Sequence, residues 1–294
     1  MRKKNKEWSI LYARSNGEKI LFSIVFIIFV LYSFTLIFPV LWIIISSFKG
    51  RMEYFSENAF ALPKEWLFDN YAKAFEMLNV GETSFFGMIF NSLWYTVIVT
   101  GLGVFVPAVT GYVMSKYEFK AKAFIFAVAI GSMVIPIVGS GASYMQVIAF
   151  FQLYDNPLYA VVTSLGGFGG SFLIYYGFFK AVSTTYMEAA KIDGANPFVI
   201  FFKIMLPQGA PIMLTYAITG AIGCWNEYNT MILYLPSYPT LASGLFEYQS
   251  ISVRSVNYPV YYAGLLISMV PTILLFAAFA ERVMTSLSIG GLKG

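Results

Sequence analysis

The residues of this chain whose types and spacing carry chemistry gather in one stretch: Glu188-Ala189-Ala190, then Asp193-Gly194-Ala195, then Ile204-Met205-Leu206-Pro207. Glu188 to Asp193 is good helix-forming sequence, and Gly194 can take the left-handed conformation that ends a helix. Asn196 suits an N-cap, and Pro197 suits the first helical position, where its missing N–H removes no bond. The pattern predicts two short helices meeting at a tight turn, with Pro207 closing the unit. Ala189, Ala190 and Ile192 are small or apolar beside charged neighbours, which gives the first helix a narrow face suited to a groove on another protein. This is docking chemistry rather than bond-making chemistry.

Catalytic chemistry has little to work with. The chain contains no histidine, the commonest general base and metal ligand. Its one cysteine, Cys224, permits no internal disulfide. No segment fits G-x-x-x-x-G-K-[ST], the loop that wraps nucleotide phosphates. No catalytic residue and no metal site is expected, and the chain is not expected to be an enzyme.

The elements that must position the 188–207 stretch are read from composition. Of 294 residues, 58% are apolar, 19% aromatic and only 12% charged, with a mean hydropathy of +0.69. Soluble domains carry about 25% charged residues, so these figures exclude an ordinary water-soluble globule and indicate a bilayer protein. The net charge of +4 is informative through its distribution, and nucleic acid is not an expected partner. Six windows are free of charge: 20–48, 83–115, 123–154, 156–179, 204–226 and 255–280. Each exceeds the roughly 20 residues that cross about 30 Å of hydrocarbon as a helix. A seventh uncharged stretch, 228–246, holds Pro236, Pro239, Ser243 and Gly244 and reads as a loop. The basic start Met1-Arg2-Lys3-Lys4 precedes an apolar run too long for a signal core and without an A-x-A site, so the first window reads as a retained span.

Placing the N-terminus in the cytoplasm leaves Lys49, Arg51, Lys64, Lys73 and Arg254 outside and every other Lys and Arg inside. That bias sets both termini inside. The expected organisation is a cytoplasmic tail at 1–19, a six-span domain at 20–280 and a cytoplasmic tail at 281–294. Extracytoplasmic loops fall at 49–82 and 234–258, and the patterned 181–208 loop lies in the cytoplasm. Spans three and four are joined by a turn at Asp155-Asn156-Pro157. Gly166 and Gly170 form a small-xxx-small pair for close helix contact, and Pro136 with Gly139 and Gly141 marks the strongest interruption of a span.

At the 188–207 residues the chain resembles the inner-membrane permease subunits of ATP-binding-cassette importers that depend on a binding protein. Further motifs extend the resemblance over nearly the whole chain and toward the carbohydrate branch, the MalG-like subunits. These are Asn91-Ser92-Leu93, Gly111-Tyr112 with Lys116-Tyr117, Met133-Val134-Ile135-Pro136, Trp225-Asn226-Glu227 and Gly290-Gly291-Leu292-Lys293-Gly294. Two departures, Thr184-Thr185-Tyr186-Met187 in place of a Pro-x-Glu-Leu lead-in and Ala121 where Gly is common, leave the core motif intact.

The resemblance implies an all-α membrane protein of six transmembrane helices, the type I importer permease fold, in the bacterial plasma membrane. It implies a second, MalF-like permease, two copies of a cytoplasmic ATPase that carry ATP and Mg, and an extracytoplasmic sugar-binding protein as partners, with membrane lipid around them. This chain would bind no cofactor itself. Glu188 would form a salt bridge or cap at the ATPase joint, or simply be a charge favoured at a helix start. Ala189 and Ala190 would allow close approach, with Asp193, Gly194 and Pro207 shaping the turn. Gly290, Gly291 and Lys293 would contact the ATPase. Asn91, Glu227, Tyr238, Tyr248 and Gln249 are candidates for the solute pathway or the loop that meets the binding protein. Glu227 has a second reading as a solvated or helix-bracing acid, and the tyrosines as interfacial anchors. The rival function is an ion-coupled secondary transporter, which needs titratable groups within spans; only Glu227 is available.

Overall fold

Long uncharged stretches favour helix in lipid because each backbone N–H and C=O must then be bonded within its own segment. The computed structural model describes residues 16–56, 60–135, 139–250 and 256–289, and those residues are helical, with no strand beyond an isolated bridge between Val80 and Thr83. In chain order the helices are α1 (Asn16–Ser47), α2 (Arg51–Ser56), α3 (Asp69–Met77), α4 (Phe85–Lys116), α5 (Lys122–Val134), α6 (Gly141–Phe150) and α7 (Leu158–Ser164). Then follow α8 (Gly170–Ala181), α9 (Thr185–Ile192), α10 (Pro197–Val199), α11 (Leu206–Trp225), α12 (Asn229–Tyr234), α13 (Leu241–Ser250) and α14 (Tyr258–Ile289). A π-helical stretch, Ile200–Met205, joins α10 to α11. Four segments are long and apolar enough to cross a membrane: α1, α4, Pro197–Trp225, and Tyr258–Phe279 of α14.

The other two uncharged windows are each broken in two. In the third, Ile135 is extended (φ −74°, ψ 113°), as the residue before a proline is pushed to be. Gly139 follows at φ +77°, and the helix resumes as α6. In the fourth, Gly166-Gly167-Phe168-Gly169 separates α7 from α8. The expected Gly166 and Gly170 pair does not make the close approach, because Gly166 lies in the break and Gly170 only opens α8. Gly167 makes it instead: Thr110 Oγ1 of α4 donates to the Gly167 carbonyl at 2.6 Å, and a Cβ there would lie 2.6 Å from Thr110 Cγ2.

Two further expectations are corrected. The 228–246 stretch is not a loop but carries α12 and the start of α13. Of the residues that suggested a loop, Pro236 and Pro239 lie in the short link between the two helices, Ser243 is part of a cap and Gly244 is a packing glycine. The Thr240 hydroxyl accepts from Ser243 N at 3.4 Å and the Ser243 hydroxyl accepts from Thr240 N at 2.8 Å, a reciprocal cap opening α13. Gly244 lies so near Met88 that a Cβ would sit 2.1 Å from its sulfur. Nor does Pro207 close the 188–207 unit, since the helix runs unbroken to Trp225. Proline removes one helical bond and crowds the carbonyl four residues back, and the wide π turn just before it accommodates both.

Helix α4 is the hub of the fold, packing against α7, α8, α11 and α13. It meets the backbone of α8 closely at Gly111, where a Cβ would stand 2.8 Å from Tyr175 Cβ and 2.9 Å from Tyr176 N. By contrast, residues 16–41 of α1 are exposed on every face. That helix meets α14 near its far end, where Trp42 packs edge-on to Tyr262 at 5.5 Å and Ser46 and Ser47 are buried. The buried Asn70 amide donates to the Ser47 and Lys49 carbonyls at 2.8 and 2.9 Å, satisfying groups that the end of α1 leaves without helical partners.

Candidate functional site

The 188–207 unit is built from local bonds. α9 begins at Thr185, three residues earlier than its strongest helix-forming sequence, and ends in a Schellman closure. Gly194 takes φ +81°, its N–H donates to the Lys191 carbonyl at 3.0 Å, and Ala195 N donates to the Ala190 carbonyl at 2.9 Å. Asn196 Oδ1 then accepts from Val199 N at 2.9 Å, with Pro197 at the first helical position, so the second helix opens as its sequence predicts. Met187 and Ala190 turn inward and pack with Tyr112, Tyr175, Phe179 and Phe201. Ala189, Tyr186 and Asp193 line an open cavity of about 560 Å³, whose wall the buried Ala190 also reaches. The two alanines of the motif differ in exposure: Ala190 is packed into this chain's own core and Ala189 is exposed. Glu188 is exposed in the first turn of α9. Ile192 and Phe198, 86% and 75% exposed, flank the turn with bare apolar surface.

A second feature lies amid the long helices. Val99, Thr100, Gly103 and Val104 of α4, Ser171 of α8, and Tyr216, Thr219, Gly220 and Cys224 of α11 line a groove of about 500 Å³. Its polar groups are hydroxyls and the single thiol, and no charged side chain enters the lining. Thr219 donates to the Thr215 carbonyl at 2.9 Å, which leaves its oxygen lone pairs as acceptors. Tyr216 packs on the fully buried Tyr175 ring at 5.6 Å, which fixes its direction. Sequence reading missed this groove. The usable signal was the 3.6-residue repeat of small and hydroxyl residues at 216, 219, 220 and 224, obscured because Gly and Thr are common in membrane helices for packing alone.

The five candidates for the solute pathway or binding-protein loop do not form one site. Asn91 and Tyr238 come together: Asn91 Nδ2 donates to the Pro239 carbonyl at 3.0 Å, Trp94 Nε1 donates to Asn91 Oδ1 at 3.1 Å, and Tyr238 packs edge-on to Trp94 at 6.3 Å. Ser92 adds its hydroxyl as acceptor for Leu241 N at 2.9 Å. Tyr248 and Gln249 form a separate brace between α13 and α14. Tyr248 stacks on Tyr261 at 6.3 Å, and the Tyr261 hydroxyl donates to Gln249 Oε1 at 3.0 Å. Glu227 Oε1 accepts from Thr230 N at 3.0 Å and so caps α12, the geometry of its helix-bracing reading. None of the five lines the groove between α4, α8 and α11. Gly290, Gly291 and Lys293 lie outside the described residues. Among the described residues no group of three or more His, Cys, Asp or Glu side chains is placed to hold a metal.

The model of the family described as binding-protein-dependent transport system inner membrane component matches residues 103–284, well over half of the chain. The chain belongs to that family. The matched part contains the 188–207 unit, all of α8 and α11, and the C-terminal part of α4. Relatives from bacteria match over most of their length. The diacetylchitobiose uptake system permease protein NgcG of Streptomyces coelicolor is 29% identical over 89% of this chain and 85% of its own. The arabinooligosaccharides transport system permease protein AraQ of Halalkalibacterium halodurans is 28% identical over 90% of this chain and 94% of its own. Among solved structures, a chain of a bacterial ABC transporter involved in the import of the acidic polysaccharide alginate superposes with a TM-score of 0.75 at 19% identity, covering 91% of this chain and 98% of that one. That likeness establishes a shared fold: the chain is an all-helical, multi-pass inner-membrane component with the architecture of an importer permease.

Proposed function

We propose that this chain is one permease subunit of an ATP-driven, binding-protein-dependent importer of neutral oligosaccharides. The observation that carries the reading is the α9 turn, with its Schellman closure at Gly194 and bare apolar flanks, inside the region matched by the family. A rigid, self-bonded turn that leaves Ile192 and Phe198 uncovered suits a partner's cleft better than it suits water. In this reading the partner is one of two ATPase subunits, which hold ATP and Mg, since this chain has no phosphate-wrapping loop of its own. Glu188, Ala189, Asp193 and Gly194 face or shape that joint, Ala190 anchors it from within, and the 290–294 tail adds a second ATPase contact.

The chain crosses the membrane six times, the third and fourth passes made by the broken pairs α5–α6 and α7–α8, with both termini in the cytoplasm. In this reading the span domain covers 20–280, with outer loops at 49–82 and 234–258 that carry short helices of their own and an inner loop at 181–208 that carries α9 and runs into α11. A second permease completes the pathway, and an extracytoplasmic binding protein delivers the solute to the 234–258 side. When the ATPases close, α9 is carried with them and the α4–α8–α11 groove turns outward; on hydrolysis it reopens inward.

Two observations support a neutral sugar as the solute. The named substrates of NgcG and AraQ are oligosaccharides, and the groove here offers hydroxyls and an aromatic ring without a charge. Aromatic faces and hydroxyls are the groups that pack on and hydrogen-bond a sugar, whereas an acidic polymer calls for cations. The test is solute-stimulated ATP hydrolysis by the complete complex in vesicles, comparing wild type with Gly194→Asp. The expected result is stimulation by loaded binding protein in wild type and its loss in the variant. Uptake by this chain alone, driven by an ion gradient and indifferent to Gly194, would overturn the assignment in favour of a secondary transporter.

A further inference from the structure

The coupling unit must be connected mechanically to the groove, and the covalent route is slack at one point. Only Val182, Ser183 and Thr184 join α8 to α9, and Val182 is extended (φ −67°, ψ 132°), so the helical ladder stops there. A connection of that kind lets α9 swing without moving α8 unless something else holds the end of α8. The last carbonyls of α8 have no helical partners and carry the negative end of its dipole. Lys116, the final residue of α4, reaches across and donates from Nζ to the Val182 carbonyl. The neighbouring cations are engaged elsewhere: Lys122 is paired with Glu118 at 2.7 Å, and Lys180 lies over the Tyr176 ring.

The far side of the unit is gripped by the same helix. Tyr112, one turn before Lys116, is 3% exposed and packs on Phe201 of the π stretch with ring centroids 4.9 Å apart. Phe105 stacks on Phe202 at 6.2 Å. The cytoplasmic half of α4 therefore holds the chain both as it enters α9 and as it leaves. On the entering side Lys116 is the only polar link from α4 to the 182–184 connection among the described residues. The middle of α4 carries Thr100 and Gly103 of the groove wall.

We propose that Lys116 is the positioning residue that ties the entrance of the coupling unit to α4, so that displacement of α9 by the ATPase is delivered to the groove wall rather than absorbed in the 182–184 connection. The proposal rests on the reading of α9 as the ATPase-coupling helix. Lys116 touches neither solute nor nucleotide. It acts by making α4 and α9 move as one body. A charged donor suits this task because it remains bonded to a carbonyl dipole while the geometry shifts by tenths of an ångström, which neutral packing does not.

The test uses the complete complex in vesicles, with ATP hydrolysis read as the ratio of rates with and without sugar-loaded binding protein. The ratio is insensitive to yield, so a merely stabilising contact would not move it. Lys116→Met keeps the apolar stem and removes the donor; Lys116→Arg keeps a donor and the charge. The expected result is normal co-purification of the ATPase with the Met variant, an unchanged basal rate, and a stimulation ratio reduced about fivefold, the lower end of typical coupling. The Arg variant should restore it. An undiminished ratio in an assembled Met complex overturns the proposal. So does a Met variant that fails to assemble while the Arg variant is normal, since Lys116 would then serve only to hold the fold. Gly194→Asp, run in parallel, separates this from failure of the coupling reading. If that variant also couples normally, α9 is not the coupling helix; if it alone uncouples, only the role of Lys116 is wrong.

Discussion

The turn at Gly194 and the link between α12 and α13 both connect helices within a few residues, yet opposite means hold them. At Gly194 every bond is local: Ala195 to Ala190, Gly194 to Lys191, Val199 to Asn196. Around the 235–241 link, local bonds such as the Thr240–Ser243 cap are joined by bonds from afar. Asn91 and Ser92 reach it from α4, and Asp155 reaches it from the turn between α6 and α7, its carboxylate accepting from Ser237 N at 2.9 Å and from the Ser237 hydroxyl at 2.6 Å. A self-bonded turn keeps its shape wherever it is carried, whereas a link tied to two other elements holds its place only while they do. The first is the construction of a moving part and the second of a frame.

The two regions share α4, so the largest effect is expected where that helix is least tolerant. Gly111→Val puts carbon atoms where the Tyr175 Cβ and the Tyr176 backbone already stand. Helix backbones cannot yield as a flexible side chain does, and the overpacking should cost about 3 kcal/mol. Both regions fail together: the prediction is little complex recovered from membranes and a lowered unfolding temperature in what remains. A stable, active Gly111→Val complex would show that α4 and α8 are not locked and would remove the basis for the contrast.

Asp155→Ala separates the two regions. It deletes a charge-assisted bond and a backbone bond to Ser237, a loss of about 2 kcal/mol after allowance for partial exposure. Asp155 also holds φ +52°, which alanine tolerates less well than Asp. The unfolding temperature should fall, while the ratio of stimulated to basal ATP hydrolysis in assembled complex stays at the wild-type value. Loss of that ratio would mean the outer link moves with the cycle and is no frame.

Gly194→Ala probes the opposite case. Its φ of +81° is strained for any residue with a Cβ, although no atom lies within 4 Å of where that carbon would be, so the penalty is backbone strain alone, about 1 kcal/mol. Stability should change less than in Asp155→Ala, yet the stimulation ratio should drop if α9 docks in an ATPase cleft as proposed, because the helix would then end out of place. Gly194→Asn, which adopts the left-handed region more readily, should retain more of the ratio than Ala. Equal ratios in all three would show that the shape of the turn does not matter to coupling.

What the sequence disclosed follows the same division. The α9 turn was legible because glycine, asparagine and proline act on their own backbone within four residues, and Gly194, Asn196 and Pro197 stand where that local chemistry places them. The breaks of the third and fourth windows were half legible. Pro136 signalled the first, but Gly166 and Gly170 suggested packing along an intact helix, when the tight contact is made by Gly167 in a gap. The 228–246 helices were not legible, because the Thr240–Ser243 cap and the Gly244–Met88 contact read in isolation as loop composition. Pro207 misled for a related reason: its cost is absorbed upstream by the π turn at Ile200–Met205, a compensation that no residue type announces. The groove lay deepest of all, since Thr100, Ser171 and Tyr216 come from three windows and nothing in their spacing joins them.

The smallest expected effect belongs to that groove. Tyr216→Phe removes one hydroxyl from a partly exposed ring and keeps the contact with Tyr175, so neither region of the frame-and-turn comparison is disturbed and the unfolding temperature should stay within experimental error. If the groove receives a sugar, one hydrogen bond is lost from a neutral ligand, worth about 1 kcal/mol or roughly a fivefold rise in the solute concentration for half-maximal uptake. Stimulation by loaded binding protein should persist, since α9 and Lys116 are untouched. The neighbouring Cys224, the chain's one cysteine, supplies an independent readout: a thiol reagent should modify it more slowly when solute occupies the groove, in wild type more than in Tyr216→Phe. Unchanged uptake with unchanged Cys224 protection would place the solute elsewhere, on the partner permease, and leave this groove as a surface that the moving turn opens without loading.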